Sequence, residues 1–202
     1  MTQEEKIYRR YQDPVDTLFS NLSTKLEPYF KKMNFTPNGI TTLSLITGFM
    51  SIYFIFKEYF IIAGLFCLLC YFFDTIDGGY ARRYNMVSKF GDYYDHFSDI
   101  ITAFGIFYAL YKKNNFSKIT NTIIIIIIII LAIMSLKYIG CQEKDRYNDK
   151  TYGKYEENIL SGLMCLCKTD PQKYFENYIY GIGTFNMFVI LLIMSYSLSK
   201  IE

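Results

Sequence analysis

The chain has 202 residues, and its 21 basic and 19 acidic side chains give a formal net charge of +2. Hydrophobic residues make up 51% of it, and the mean hydropathy is +0.13. This composition is too apolar for a disordered chain, and the nearly balanced charge provides no basic field for nucleic acid. Three uncharged runs reach or approach the roughly 20 residues that a membrane-spanning helix needs: Met33–Phe56, Ile119–Leu136 and Asn177–Ser199. These features exclude a small soluble enzyme or a DNA-binding module and predict an integral, multi-pass, all-α membrane protein.

The first segment carries a helix-start signal and an amphipathic pattern. Asp13 suits the N-cap position, and Pro14 suits the first helical position after it. Residues 1–35 are therefore predicted to be a cytoplasmic segment whose amphipathic helix lies in the membrane interface. An amphipathic helix packed against protein is the alternative. The apolar residues that recur at helical spacing are Val15, Leu18, Phe19, Leu22, Leu26, Tyr29, Phe30 and Met33.

A bundle of six transmembrane helices is predicted over residues 36–199, within a single domain of residues 1–202. The segment Asn158–Cys167 is apolar but much shorter than the other runs, so it forms either a short fifth span or a re-entrant or interfacial piece. The polar stretch before it, Lys137–Glu157, is predicted to be a loop. The other five spans follow long apolar runs: one ends near Phe56, one runs from Tyr59 past Phe73, one runs from Phe90 to Tyr111, one covers Ile119–Leu136 and the last lies in Asn177–Ser199.

Lysine and arginine residues are distributed unevenly between the two sides of the predicted bundle. The N-terminal segment, the connection between the second and third spans and the loop after the fourth span carry most of them. By the positive-inside rule, these parts face the cytoplasm. Lys112, Lys113 and Lys118 fall on the opposite side. The facing ends of the second and third spans are therefore predicted to lie at the cytoplasmic surface.

Cysteine and histidine give no sign of a zinc site or of a serine hydrolase. Cys67 and Cys70 have CxxC spacing, but they lie in an apolar segment with no second pair. We interpret them as small residues that pack between helices. His96 is the one histidine of the sequence, and no Gly-x-Ser-x-Gly motif accompanies it.

Four aspartates mark the cytoplasmic ends of the second and third spans. Asp74 and Asp77 are three residues apart, and Asp95 and Asp99 are four apart, so each pair shares a helix face. Four carboxylates near a low-dielectric region need a counter-charge if they are to stay ionised together. Mg²⁺ and Mn²⁺ prefer oxygen ligands, and magnesium commonly sits between carboxylates and substrate phosphates. The pattern predicts a divalent-metal site.

Small residues and one arginine accompany these aspartates. Gly78, Ala81 and Gly91 leave open space along the two acidic faces, which favours a bulky polar ligand. Arg82 adds a fixed positive charge whose planar fork suits phosphate oxygens. A metal site, an arginine and the open space beside the small residues together indicate a diphosphate-binding site.

The order and spacing of these residues resemble a known family signature. Asp74-x-x-Asp77-Gly78-x-x-Ala81-Arg82 is followed by Gly91-x-x-x-Asp95-x-x-x-Asp99, which fills every fixed position of the class-I CDP-alcohol phosphotransferase motif. The resemblance extends to the sequence Pro37-Asn38-Gly39-Ile40-Thr41 before the first span, to the preceding amphipathic helix and to the length of the chain. The second half of the chain carries no further diagnostic residue.

The resemblance implies a particular class of reaction. Such enzymes transfer a phosphate-bearing group from a CDP-linked donor to an alcohol and release CMP, and they are transferases of substituted phosphate groups. In the commonest form the donor is CDP-diacylglycerol and the product is a phospholipid, which predicts a role in phospholipid biosynthesis. The resemblance also implies two divalent ions, Mg²⁺ or Mn²⁺, and a homodimer.

Residue roles follow from the same resemblance. Asp74, Asp77 and Asp95 would ligate metal, Asp95 would bridge two ions and Asp99 would ligate the second. Asp99 would also be the catalytic base that takes the proton from the attacking hydroxyl. The residues expected to contact the CDP moiety are Gly78, Ala81, Arg82, Ser88, Gly91, Asn38 and Thr41.

The substrates stay open at this stage. The donor is expected to be a CDP-linked lipid or a CDP-alcohol, and the acceptor a small alcohol or diacylglycerol. Ala81-Arg82-Arg83 and Asp95-His96 are similar to short motifs of eukaryotic choline and ethanolamine phosphotransferases. Ser88-Lys89-Phe90-Gly91 is similar to a motif of inositol-phospholipid synthases. A non-catalytic membrane scaffold and a cation transporter are the alternatives from other classes.

Overall fold

The protein is described here from a computed structural model, which covers residues 13–113, 116–148, 159–177 and 181–198. Every regular element in these ranges is a helix. One of them is an eight-residue 3₁₀ helix, Ile159–Leu166. The α-helices are α1 (Pro14–Lys32), α2 (Pro37–Phe56), α3 (Phe60–Arg83), α4 (Lys89–Lys112), α5 (Lys118–Asn148), α6 (Pro171–Asn177) and α7 (Ile182–Ser195).

The chain forms two compact units. One consists of residues 18–117 with 186–202, and the other of residues 1–17 with 118–185. All of the sequence-predicted site residues lie in the first unit. The expectation of a single domain over residues 1–202 stays a prediction.

Helix α2 organises the first unit by packing against both α3 and α4. Its Thr41 and Ser51 bond to Asp77 and to the carbonyl of Ala63, so α2 and α3 run antiparallel. Thr42 bonds to Tyr94 near the start of α4, and Gly48 contacts Thr102 further along it, so α2 and α4 run parallel. The end of α3 and the start of α4 therefore lie at the same end of this unit.

Local signals explain the boundaries that position these helices. Thr36 caps α2 by accepting from the Gly39 N–H at 3.1 Å, and Pro37 occupies the first turn. Asn85 adopts a positive φ of 54° after α3, a conformation that asparagine tolerates well. Ser88 then caps α4 by accepting from the Gly91 N–H at 3.0 Å. A short turn therefore carries the chain from one acidic helix end to the next.

The three helices approach one another closely at Gly48. A Cβ atom there would lie 2.5 Å from Cγ2 and 2.9 Å from Oγ1 of Thr102, and 3.2 Å from Sγ of Cys70. Cys67 is buried and Cys70 half-buried, and both are free thiols within the first unit. These contacts agree with the interpretation of the CxxC pair as packing residues.

Substituting Gly48 by alanine should destabilise this three-helix contact. The added methyl group has no room, so the free energy of unfolding should fall by about 1–3 kcal/mol. The thermal midpoint in detergent measures the effect. Gly162→Ala is the matched control, because a Cβ at Gly162 meets nothing within 4 Å. Equal thermal midpoints for the two variants would contradict the close packing of the three helices at Gly48.

Helix α1 begins as the sequence predicts. Asp13 accepts from the Val15 N–H at 2.8 Å and so caps the helix, with Pro14 at its first position. The same carboxylate is fully buried and also accepts from the backbone of Gly181 and Thr184, at 2.7 and 3.0 Å. Asp13 thus satisfies N–H groups at the start of α7 as well, a second role that the sequence did not indicate.

The second unit is held together around the long helix α5. A disulfide joins Cys141 to Cys167, and both lie in a cluster of buried side chains with Tyr138, Tyr174 and Phe175. Close to it, the carbonyl of Leu163 occupies the space that a side chain at residue 140 would need, which explains the glycine there. The pairing of these two cysteines was not predicted from the sequence.

Within the described residues, three helices are long and apolar enough to cross a membrane: Pro37–Phe56, Phe60–Arg83 and Lys118–Asp145. Helix α4 has the length of a span at 24 residues, but its acidic first turns lower its hydropathy. In α5 the run of isoleucines is mostly exposed, as expected of a surface that faces lipid.

Several boundaries differ from the predicted six-span layout. The expected fifth span, Asn158–Cys167, contains the 3₁₀ helix, whose eight residues rise only about 16 Å, roughly half of a bilayer core. Helix α7 has 14 residues and is also shorter than a span. Helix α5 continues to Asn148, so residues 137–148 are not the loop that their polarity suggested. Polar side chains such as Gln142 and Lys144 favour helix as readily as loop.

Candidate active site

The four predicted metal ligands approach one another between the end of α3 and the start of α4. Ligand atoms of Asp74, Asp77 and Asp95 lie within 4.8 Å of one another. Ligand atoms of Asp95, His96 and Asp99 form a second group by the same measure. Asp95 therefore belongs to both groups. Asp77 is 4% exposed and Asp99 is exposed, so the cluster runs from the protein interior to its surface.

The electrostatics of this cluster favour a bound cation. In the described part of the chain, none of the four aspartates forms an ion pair with lysine or arginine. Buried Oδ1 of Asp95 lacks a hydrogen-bond partner. A carboxylate oxygen without a hydrogen-bond partner is a suitable ligand for a hard divalent cation.

Thr41 positions one of these carboxylates. Its Oγ1 donates to Oδ2 of Asp77 at 2.6 Å, and both residues are buried. The hydroxyl comes from α2 and the carboxylate from α3, so the contact fixes the aspartate from the neighbouring helix. Thr41 was expected at the nucleotide, and that role stays a prediction.

Thr41→Val should weaken metal binding without removing a ligand. Residues that orient a ligand typically contribute about 10- to 100-fold to metal affinity, and we expect a loss in that range. Mn²⁺ titration of the purified protein measures it. Thr47→Val is the matched control, because the Thr47 hydroxyl donates to carbonyls of its own helix, at Leu43 and Ser44, rather than to a carboxylate. Equal affinities in both variants would contradict the role of Thr41.

Three residues expected to contact CDP meet at the start of α4. A Cβ at Gly91 would lie 3.0 Å from Oδ1 of Asn38 and 3.0 Å from Oγ of Ser88. Asn38 comes from the first turn of α2, and Ser88 is the N-cap of α4. Glycine therefore allows the two polar side chains to approach here.

The remaining predicted contacts lie on α3. A Cβ at Gly78 would be 3.4 Å from Nη1 of Arg82, so the guanidinium lies over the glycine one turn earlier. Arg82 is exposed and Ala81 half-buried. An exposed arginine over a glycine surface leaves room for an anionic group.

Two neighbours of the aspartates were not singled out from the sequence as functional. Nε2 of His96 lies 3.7 Å from Oδ1 of Asp92, and Nδ1 of His96 lies 3.9 Å from Oδ2 of Asp95. Both distances are too long for a hydrogen bond, and the buried Nε2 has no hydrogen-bond partner. Tyr94 bonds to Thr42 at 3.1 Å and thereby links α4 to α2. Their positions next to Asp95 are the signal that would have indicated them.

The profile of the CDP-alcohol phosphatidyltransferase family matches residues 34–198, which is most of the chain and includes the whole aspartate cluster. The fold is thus helical, with helices apolar enough to cross a membrane and with carboxylates that could hold a metal ion. The chain belongs to the CDP-alcohol phosphatidyltransferase family.

Curated relatives match shorter stretches. An uncharacterised protein of Aquifex aeolicus is 37% identical over 99 residues, which cover 46% of this chain and 50% of that protein. A CDP-diacylglycerol–serine O-phosphatidyltransferase of Helicobacter pylori is 36% identical over 87 residues, or 41% of this chain and 36% of that protein. This chain therefore aligns with half or less of the length of these relatives. No solved structure matches it significantly.

Proposed function

We propose that this protein transfers a phosphatidyl group from CDP-diacylglycerol to an alcohol hydroxyl and releases CMP. The observation that carries the proposal is the shared position of Asp95, which joins two groups of metal-ligating side chains within one cluster. Two ions held in this way suit displacement at a diphosphate, because the attacking and leaving oxygens both need stabilisation. Family membership supports the reaction class.

The residues take distinct roles in the proposed reaction. Asp74, Asp77 and Asp95 would hold one ion, and Asp95 and Asp99 a second, either Mg²⁺ or Mn²⁺. When bound, these ions would polarise the diphosphate and stabilise the negative charge on the departing CMP. Arg82 would bind a phosphate oxygen of the donor over Gly78, while Asn38, Ser88 and Gly91 would shape the nucleotide pocket together with Ala81 and Thr41.

Asp99 would activate the acceptor. An alcohol is a poor nucleophile until its proton leaves, and a carboxylate within hydrogen-bond reach can accept that proton. The exposure of Asp99 supports this role, because the alcohol must reach the base from outside the helix bundle. The oxygen of the alcohol then forms a bond to the β-phosphorus of the donor, the bond to CMP breaks and CMP leaves with the electron pair.

The outer surface of α1 supports a site at the membrane boundary. Leu18, Leu22 and Tyr29 are 66%, 47% and 64% exposed, so the apolar face points away from the protein. An interfacial helix would bury such a face among lipid headgroups and acyl chains. In this arrangement the diacylglycerol part of the donor stays in the bilayer while CMP leaves into water on the cytoplasmic side.

The acceptor and the donor are tested together by a CMP-release assay. Purified protein in lipid micelles would receive CDP-diacylglycerol with serine, inositol, inositol phosphate or glycerol phosphate, and in parallel CDP-choline or CDP-ethanolamine with diacylglycerol. We expect release with CDP-diacylglycerol and one of the small alcohols. Release only with a CDP-amino-alcohol would replace the proposed donor, and no release from folded protein that also fails to bind CDP would favour the scaffold. The molar mass of the same sample, measured by light scattering, tests the expected homodimer.

A further inference from the structure

The last turns of α3 present two opposite faces. Asp74 and Asp77 lie on the face of the aspartate cluster. Arg83 follows Asp74 by about two and a half helical turns, so it lies on the other side of the helix. The two neighbouring arginines therefore lie on different faces of α3. Arg82 lies over Gly78, and Arg83 lies on the back of the helix, the face opposite Asp74.

The back of α3 is fastened to α1 by a buried charge. Nη1 of Arg83 donates to Oε2 of Glu27 at 2.5 Å, and Nη2 donates to Oγ1 of Thr24 at 3.3 Å. Glu27 is only 1% exposed. A Cβ at Gly79 would lie 3.1 Å from Oε1 of Glu27, so the missing side chain leaves the space that the carboxylate occupies. Two positions of α3 therefore accommodate one residue of α1.

The burial pattern of α1 is reversed relative to a helix packed in water. Its buried residues are the polar Ser23 and Glu27, whereas the apolar Leu18 and Leu22 are exposed. Aromatic contacts from Phe19 to Tyr71 and from Phe30 to Phe73 flank the buried polar face. A helix with this pattern can contact lipid on one side while it holds α3 on the other.

We propose that Glu27 is a positioning residue of the transfer reaction. Its ion pair with Arg83 fixes the back of α3 to the interfacial helix, so that the seating of α1 on the lipid surface sets the position of Asp74 and Asp77 relative to α4. An ion pair with one buried partner adds little net stability compared with an apolar contact, but it is directional and costly to break. This inference rests on the proposed function.

Glu27→Gln tests the proposal in lipid vesicles. We expect kcat for CMP release to fall by about 10-fold or more, because small displacements of reacting groups have effects of this size. The KM for the water-soluble acceptor should not change, since α1 does not contribute to the predicted pocket. Gly79→Ala should lower kcat in the same direction, because its methyl group pushes against the same carboxylate without altering charge. Lys25→Gln, on the exposed side of α1, is the control and should stay within about twofold of the unsubstituted protein.

A double-mutant cycle with Arg83→Gln separates positioning from general destabilisation. If both residues act through one contact, the double variant should be no slower than the slower single variant. If the double variant lost as much kcat as the two single losses combined, the proposal would be overturned. A kcat of Glu27→Gln within about twofold of the unsubstituted protein would also overturn it.

Backbone hydrogen exchange over residues 81–84 gives a measurement without substrate. Exchange there should be faster in Glu27→Gln than in Lys25→Gln if Glu27 holds the end of α3 in place. Equal exchange would overturn the positioning role. Absence of CMP release from the unsubstituted protein would instead contradict the proposed function, and the exchange measurement would still test the contact.

Discussion

Replacing Asp99 by asparagine should lower kcat for CMP release by about 10²- to 10⁴-fold, the usual contribution of a general base. The amide has nearly the same shape as the carboxylate but cannot accept the proton of the attacking alcohol. Because Asp74, Asp77 and Asp95 remain, binding of the CDP-linked donor should be largely retained. Single-turnover measurements of CMP release, together with equilibrium binding of the donor, distinguish the two effects.

Asp92→Asn is the matched control for this experiment. It makes the same chemical change on the same helix, but Asp92 belongs to neither group of ligand atoms and its side chain is 40% exposed. Its kcat should remain close to that of the unsubstituted protein. Near-normal turnover in Asp99→Asn would show that another group accepts the proton.

Asp95→Asn should have the largest effect on metal binding, because Asp95 is shared by both groups of ligand atoms. Removing a direct ligand costs more than the roughly 10- to 100-fold lost with a residue that orients one, so apparent metal affinity should fall by at least about 100-fold. Activity should be lost in parallel. Mn²⁺ binding followed by electron paramagnetic resonance measures both the affinity and the number of bound ions.

The expected stoichiometry makes this a strict test. The unsubstituted protein with donor should bind two ions, and Asp95→Asn should retain one at most. The Asp92→Asn control should still bind two. Two ions bound tightly by Asp95→Asn would contradict the bridging role, whatever the effect of the substitution on activity.

The bounds of the first three helices of the predicted bundle could be predicted closely because local signals define them. Pro37 and the Thr36 cap set the start of α2, and the Ser88 cap sets the start of α4 within one residue of the predicted Phe90. The pairing of the aspartates also follows from local geometry, since residues three or four apart share a helix face. That the two pairs approach each other follows from the short turn of residues 84–88, which keeps the end of α3 beside the start of α4.

Contacts between distant segments could not be predicted in the same way. The bond from Thr41 to Asp77 and the ion pair of Glu27 with Arg83 join residues far apart in sequence, and no periodicity identifies such partners. The disulfide between Cys141 and Cys167 is a further example. Its Cys141 lies in the loop that the positive-inside rule assigns to the cytoplasm, where disulfides are rare, whereas Cys167 ends the predicted fifth span. Thiol labelling of Cys141 after reduction tests the predicted orientation.

The second half of the chain was predicted least well. Its apolar segment before Cys167 suggested a short span, but the structure has a 3₁₀ helix there. The segment after the isoleucine run suggested a loop, but α5 continues through it to Asn148. Short apolar runs and mixed polar segments are compatible with several structures, and tertiary packing decides between them.

Metal-dependent CMP release tests the central claim most directly. Purified protein would be supplied with CDP-diacylglycerol and each candidate alcohol, first with a chelator and then with added Mg²⁺ or Mn²⁺. The account predicts no CMP in the chelated sample, and equal amounts of CMP and new phospholipid once metal and both substrates are present. CMP release that is unaffected by the chelator, or undiminished in Asp95→Asn, would contradict a reaction at the aspartate cluster.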